Sequence, residues 1–214
     1  MNEPSMPNTL PLYLVDDDVA ILDSLTFMLG QFGYNITAFN SGSDFLNTVP
    51  LSQAACVILD SRMPEVTGQD VQQKLLEIDS PLGIIFLTGH GDMPMAVDAF
   101  RKGACDFFQK PVSGKALSSA IDKAMLYSHR TFEAQSLKQK LSTLSERELE
   151  VLNLLTKGMT NKQISEALFL SLRTIEVHRA KVMKKLEVHN MAELAKYSQM
   201  SSDEELNEIL SSPS

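Results

Sequence analysis

The chain has 214 residues, 43% hydrophobic and 21% charged, with a formal net charge of −8. That length accommodates one large domain or two small ones, each able to bury its own core. Its two cysteines, Cys56 and Cys105, sit inside apolar runs and read as reduced core residues, and no apolar run reaches membrane-spanning length, which excludes a disulfide-stapled scaffold and a membrane-spanning chain. The opening MNEPSMPNTLP lacks the basic start of a secretory signal, so a cytoplasmic protein is expected. Charge is uneven along the chain. Residues 1–127 carry 7 Lys and Arg against 15 Asp and Glu, whereas residues 128–200 carry 12 against 8, so only the second part is suited to meet a polyanion.

Residues 1–9 are polar and Pro-rich and are expected to be loose. A short strand over 10–15 ends in Asp16-Asp17-Asp18. The helical spacing of apolar residues at 21, 22, 25, 28, 29 and 32 predicts a helix over 20–32, stopped by Gly33. A second strand over 35–39 and a helix over 43–49 follow. The third strand, 55–59, is apolar on both faces and stops abruptly at Asp60, with Pro64 and Gly68 beyond it. Residues 69–78 read as a helix, and 83–87 as a fourth buried strand ending at Thr88. Residues 93–102 form a helix closed by Gly103, 106–109 a fifth strand ending at Lys110-Pro111, and a last helix starts near Ser113. Strict alternation of this kind means an α/β fold, a doubly wound parallel sheet covered by helices on both faces.

In such a sheet the carboxyl ends of the strands face one crevice, at the point where strand order reverses. An isolated Asp after a strand would read as a turn cap. Here Asp16, Asp17, Asp60, Thr88 and Lys110 all stand at strand ends and converge. Crowded carboxylates repel unless a cation neutralises them, and hard oxygen donors suit Mg²⁺ with a phosphate completing its shell. The hydroxyl and the ammonium opposite supply what the remaining phosphoryl oxygens require.

These five positions, in this order and spacing, resemble the receiver domain of two-component response regulators. The resemblance implies a (βα)5 domain over 10–127 with sheet order 2-1-3-4-5. It implies that Asp60 accepts a phosphoryl group, and that Asp16, Asp17, Asp60 and the Arg62 backbone carbonyl hold Mg²⁺. Thr88 and Lys110 would take phosphoryl oxygens, with Asp18 a lesser third acid. Phe107, three residues before Lys110, is either the family's switch aromatic or an ordinary core residue of its strand. The family's cis bond would fall at Lys110-Pro111. Two residues after Asp60 stands Arg62, and two after Thr88 stands His90; each either shields the aspartyl phosphate from water or points to solvent.

No Pro or Gly interrupts residues 115–157, so the last helix of the receiver is expected to run on as a semi-rigid linker over 128–142. Its Leu137, Leu141 and Leu144 form either a short coiled-coil stripe or scattered leucines on a solvated helix. A second domain over 143–200 opens with the capping box Ser145/Glu148 and a helix to Gly158. Helices over 161–168 and 173–186 follow, separated by a turn at Phe169-Leu170-Ser171, and Asn190 caps a fourth to Tyr197. The stretch LSERELEVLNLLTKGMTNKQISEALFLSLRTIEVHRAKVMKKL is similar to the LuxR-type helix-turn-helix, which with a receiver points to the FixJ/NarL regulators, on the FixJ side. On the third of these helices Ile175, Val182 and Leu186 share the core side. Arg173, Val177, Ala180, Lys181 and Lys184 lie opposite, with Glu176 at the margin. Glu176, Val177 and Ala180 are expected at base edges, and Arg173, Lys181, Lys184 and Lys185 at phosphates, with Lys162 and Thr174 completing the DNA contacts. His178 and Arg179 are expected to turn toward the backbone. The acidic, Ser-rich residues 201–214 read as a frayed tail.

The function this implies is a transcription regulator, phosphorylated at Asp60 by a sensor histidine kinase. Phosphorylation frees the second domain or makes it a homodimer through the fourth helix and fifth strand, where Phe107 stands in the strand and Asp98, Arg101 and Lys102 give the helix both signs of charge. Double-stranded promoter DNA is the target, RNA polymerase a further candidate partner, and no membrane is involved. Such a chain turns over no external substrate and is not an enzyme. Two other readings stand beside it: a flavodoxin-like Mg²⁺ phosphohydrolase, which would need a general acid and a substrate pocket, and a DNA-binding protein that ignores phosphate.

Overall fold

A computed structural model describes residues 10–89 and 93–197. His90, the loose N-terminus and the acidic tail expected above lie outside the described residues. The chain divides into two units, Met1–Glu133 and Ala134–Ser214.

In the first unit β1 (Pro11–Val15), α1 (Val19–Gly30), β2 (Asn35–Phe39), α2 (Gly42–Thr48), β3 (Cys56–Leu59), α3 (Gly68–Glu77), β4 (Gly83–Thr88), α4 (Met93–Arg101) and β5 (Asp106–Gln109) alternate, and α5 (Gly114–Ser142) follows. The five strands are parallel in the order β2-β1-β3-β4-β5, as the resemblance implied. Strand side chains alternate between two cores, because successive Cβ atoms point to opposite faces. Leu12, Leu14, Ile58, Ile85 and Leu87 pack with α1 and α5, whereas Tyr13, Val15, Val57, Leu59, Ile84 and Phe86 pack with α2, α3 and α4. Burial on both faces is why CVIL reads as a continuous apolar run rather than an alternating one.

Local chemistry sets the element ends. Asp18, expected as a lesser site acid, is the N-cap of α1, its carboxylate accepting the Ala20 N–H at 2.9 Å. Gly33 and Gly103 take φ of 80° and 86°, the left-handed conformation that closes a helix at little cost. A capping box of Thr67 and Asp70 starts α3.

The second unit contains α6 (Glu146–Thr156), α7 (Asn161–Leu168), α8 (Leu172–Lys185) and α9 (Met191–Leu194), which runs into a 3-10 turn, Ala195–Tyr197. Ser145 with Glu148, Thr160 with Gln163, Ser171 and Asn190 cap the four helices in turn. Ile175, Val182 and Leu186 are fully buried, as their spacing predicts. The boundary between the units falls inside α5. Leu141 and Leu144 belong to the core of the second unit and Leu137 packs at its margin, so the leucine stripe is neither a coiled-coil seam nor a solvated face.

Candidate functional site

Strand order reverses between β1 and β3, and the ladder there sets Val15 opposite Leu59. The Asp60 N–H donates to Val15 O at 2.8 Å, so Asp16 and Asp60 leave the sheet side by side. One carboxylate oxygen from each of Asp16, Asp17 and Asp60 lies within 4.8 Å of the others, with Asp16 and Asp60 buried and Asp17 exposed. From the end of β5 the Lys110 Nζ comes to 2.5 Å from Asp16 Oδ2 and 3.3 Å from Asp60 Oδ1. The peptide before Pro111 is cis.

The turn after Asp60 is fixed from its own side. Arg62 N–H donates to Asp60 Oδ2 at 3.0 Å, while the Arg62 side chain is exposed. Gly68 opens α3 where a Cβ would stand 2.3 Å from Asp60 O, so only glycine lets the helix approach this closely.

Among the described residues, three carboxylates gather at the Lys110 ammonium. Burial pushes the Asp16 carboxyl above its ordinary value, against the pull of Lys110 and with a smaller upward contribution from Asp60. Burial alone would lower Lys110, yet Asp16 and Asp60 outweigh it and hold the ammonium above its ordinary value. The surplus of negative charge and the all-oxygen donor set fit a hard divalent cation such as Mg²⁺.

Thr88 and Phe107 belong to the other face. Two residues after Phe86, Thr88 shares the phase of the core formed with α2, α3 and α4, and Phe107 packs there against Phe86 with ring centroids 6.0 Å apart. There the Ser61 Oγ donates to Thr88 Oγ1 at 2.6 Å, both side chains being 1% exposed. The sequence reading missed Ser61. Continuing the β3–β4 register beyond Leu59 opposite Phe86 sets Ser61 opposite Thr88, which was the available signal.

In the second unit α7 and α8 are joined by a turn in which Phe169 adopts the left-handed conformation at φ 55° and is 94% exposed. Arg173, Glu176, Val177, Ala180, Lys181 and Lys184 are exposed along α8, opposite Ile175, Val182 and Leu186, and Lys162 is exposed on α7. Thr174 is half-buried and shares a 2.7 Å hydrogen bond with Ser171 Oγ at the helix cap. Lys185, expected at a phosphate, instead donates to Glu148 Oε2 at 2.6 Å and Thr143 O at 2.8 Å, because the buried Glu148 of the capping box lies within its reach. Arg179 donates to the Asn161 side-chain oxygen at 2.9 Å.

Residues 12–122 match the family described as response regulator receiver domain, and residues 142–198 match the bacterial regulatory proteins of the luxR family. Over 194 residues the chain is 41% identical to the tetrathionate response regulatory protein TtrR of Salmonella typhimurium, spanning 90% of this chain and 94% of that one. It is 36% identical over 189 residues to the transcriptional regulatory protein FixJ of Bradyrhizobium diazoefficiens, spanning 86% and 92%. The solved structure of the response regulator StyR matches with a TM-score of 0.67 at 35% identity, covering 88% of this chain and 98% of that one.

Proposed function

The chain belongs to the two-component response regulators that join a receiver domain to a LuxR-type DNA-binding domain, and from that membership we propose a transcription regulator switched by Mg²⁺-dependent phosphorylation of Asp60. The convergence of Asp16, Asp17 and Asp60 beside Lys110 carries the reading. A sensor histidine kinase supplies the phosphoryl group: an Asp60 carboxylate oxygen forms the bond to phosphorus as the bond to the donor breaks. Asp16, Asp17, Asp60 and the Arg62 carbonyl are the residues that would hold Mg²⁺, which supplies positive charge opposite the transferring oxygens. Lys110 moves from its carboxylates to a phosphoryl oxygen, and the Thr88 hydroxyl takes another.

The output is promoter binding through α8, with Arg173, Lys181 and Lys184 at phosphates and Glu176, Val177 and Ala180 at base edges. Phosphorylation favours a homodimer through α4 and β5, where Val97 and Phe100 are exposed beside the Asp98–Lys102 ion pair, Arg101 and the β5 residue Phe107. RNA polymerase is a further partner in this reading. Among the described residues no helix is long and apolar enough to cross a membrane, and a cytoplasmic site of action is part of the proposal.

Acetyl phosphate with Mg²⁺ tests the reading directly. The parent should gain one acid-stable but base-labile phosphoryl group that decays slowly, and Asp60→Asn should gain none, because an amide is a poor nucleophile. Undiminished labelling of that variant removes the site assignment, and sustained release of phosphate over many turnovers points to a phosphohydrolase instead.

A further inference from the structure

We infer that Ser61 is a positioning residue: its hydroxyl holds Thr88 on the face of the sheet away from the carboxylates until a phosphoryl group is present, an inference that rests on the role proposed for Thr88 above. The phase of the strands makes the case. Ile58 and Phe108 pack with the core formed with α1 and α5, and Asp60 and Lys110 follow each by two residues, so they emerge on that side. Thr88 follows Phe86 by two and emerges on the side of α3 and α4. Lys110 accordingly reaches both Asp16 and Asp60, while Thr88 Oγ1 accepts the Ser61 proton.

Both hydroxyls are almost wholly buried, so each depends on a partner within the protein. To donate to a phosphoryl oxygen on Asp60, Thr88 must turn its hydroxyl across the strand end. That movement breaks the Ser61 bond and leaves the Ser61 hydroxyl behind in a buried position. The bond therefore favours the resting orientation, because losing it leaves that hydroxyl orphaned. Alanine at position 61 removes this preference. One neutral hydrogen bond of this kind shifts a two-state balance by about five-fold.

The test uses the full chain with Mg²⁺ and beryllofluoride, a tetrahedral stand-in for the phosphoryl group, with bound ligand read by ¹⁹F NMR. Parent, Ser61→Ala, Thr88→Ala and the double variant form a cycle. The half-saturating beryllofluoride concentration should fall about five-fold in Ser61→Ala, rise in Thr88→Ala, and be the same in Thr88→Ala with or without Ser61. A midpoint in Ser61→Ala that is unchanged or higher overturns the latch while the Thr88→Ala result leaves the phosphoryl site standing. A Ser61→Ala effect that persists without Thr88 also overturns it, because Ser61 would then act by another route. Should Thr88→Ala leave the parent midpoint unmoved, the phosphoryl role of Thr88 falls, and the latch with it.

Discussion

Replacing Lys185 with alanine is expected to cost the second unit about 2 kcal/mol of folding stability and to leave DNA binding almost unchanged. The Lys185 ammonium neutralises Glu148, whose residue is 4% exposed and whose Oε2 also accepts the Ser145 N–H at 2.9 Å. Stripping the partner from a fully buried pair costs about 3–5 kcal/mol. The Lys185 side chain is 39% exposed, so water can reach the vacated place and partly solvate Glu148, which brings the loss down to about 2 kcal/mol. The pH dependence gives a second reading of the same pair. Burial disfavours the Glu148 charge, but Lys185 and the Ser145 N–H outweigh it and hold the carboxyl below its ordinary 4.5. A depressed carboxyl contributes stability that is complete above its unfolded pKa and is lost as pH falls through the folded one. The gap between parent and Lys185→Ala should therefore be level through neutral pH and close on acidification below 4.5. Urea unfolding, with amide exchange on α6 and α8 to locate the loss, measures the gap. Unaltered stability together with a salt slope of DNA binding reduced by about one would refute this and return Lys185 to the phosphates.

Arg173→Ala, Lys181→Ala and Lys184→Ala should each lower the salt slope by about 0.9 while folding stability stays within about 0.5 kcal/mol, as titrations of DNA binding at several salt concentrations would show. Gly68→Ala should destabilise the first unit by about 1–3 kcal/mol and slow phosphorylation of Asp60, since its Cβ would stand 2.3 Å from Asp60 O; an unchanged unfolding midpoint refutes the close approach. If Arg62 and His90 shield the aspartyl phosphate, Arg62→Ala and His90→Ala should shorten its lifetime up to about ten-fold without preventing its formation, a change of about 1.4 kcal/mol in the barrier. Lifetimes within two-fold of the parent, about 0.4 kcal/mol, retire that shielding role.

The sheet was legible because apolar runs stopped by Gly, Pro or Asp mark buried strands whatever their neighbours do, and strict alternation leaves few ways to wind them. Asp16, Asp60 and Lys110 were legible for the same reason: each directly follows a strand whose phase fixes where it points. What escaped was pairing between distant segments. Nothing near Lys185 says that Glu148, 37 residues earlier, will take its charge, and a basic helix face looks the same whether its lysines meet phosphates or a buried carboxylate. Leu141 and Leu144 misled because their period fits a seam, a solvated stripe or a core equally well, and only the helices stacked on them decide. Asp18 was read by its neighbours' chemistry, although one residue before a helix an aspartate has a ready local use as a cap.

Strand phase also separates the residues proposed to receive the phosphoryl group from those proposed to report it. Asp16, Asp60 and Lys110 sit on the side of α1 and α5, a layer anchored by buried Leu22, Leu25 and Leu29 of α1 and Leu117, Ile121 and Ala124 of α5. Thr88 and Phe107 sit on the side of α3 and α4, and α4 is the loosely docked member: among its residues only Ala99 is buried. Its C-terminal end is held by the Gln72 amide of α3, which donates to Ala99 O at 2.9 Å and Lys102 O at 3.2 Å. Among the described residues the other end of that amide, Oε1, has no hydrogen-bond partner. In the proposed mechanism, a turn of Thr88 toward the phosphoryl group would change packing on the face where little apolar contact resists a shift of helix. In that mechanism the layer of Asp16, Asp60 and Lys110 stays in place while the layer of α3 and α4 moves, because the Thr88 hydroxyl at the end of β4 lies on one face by phase and acts on the other by its proposed role.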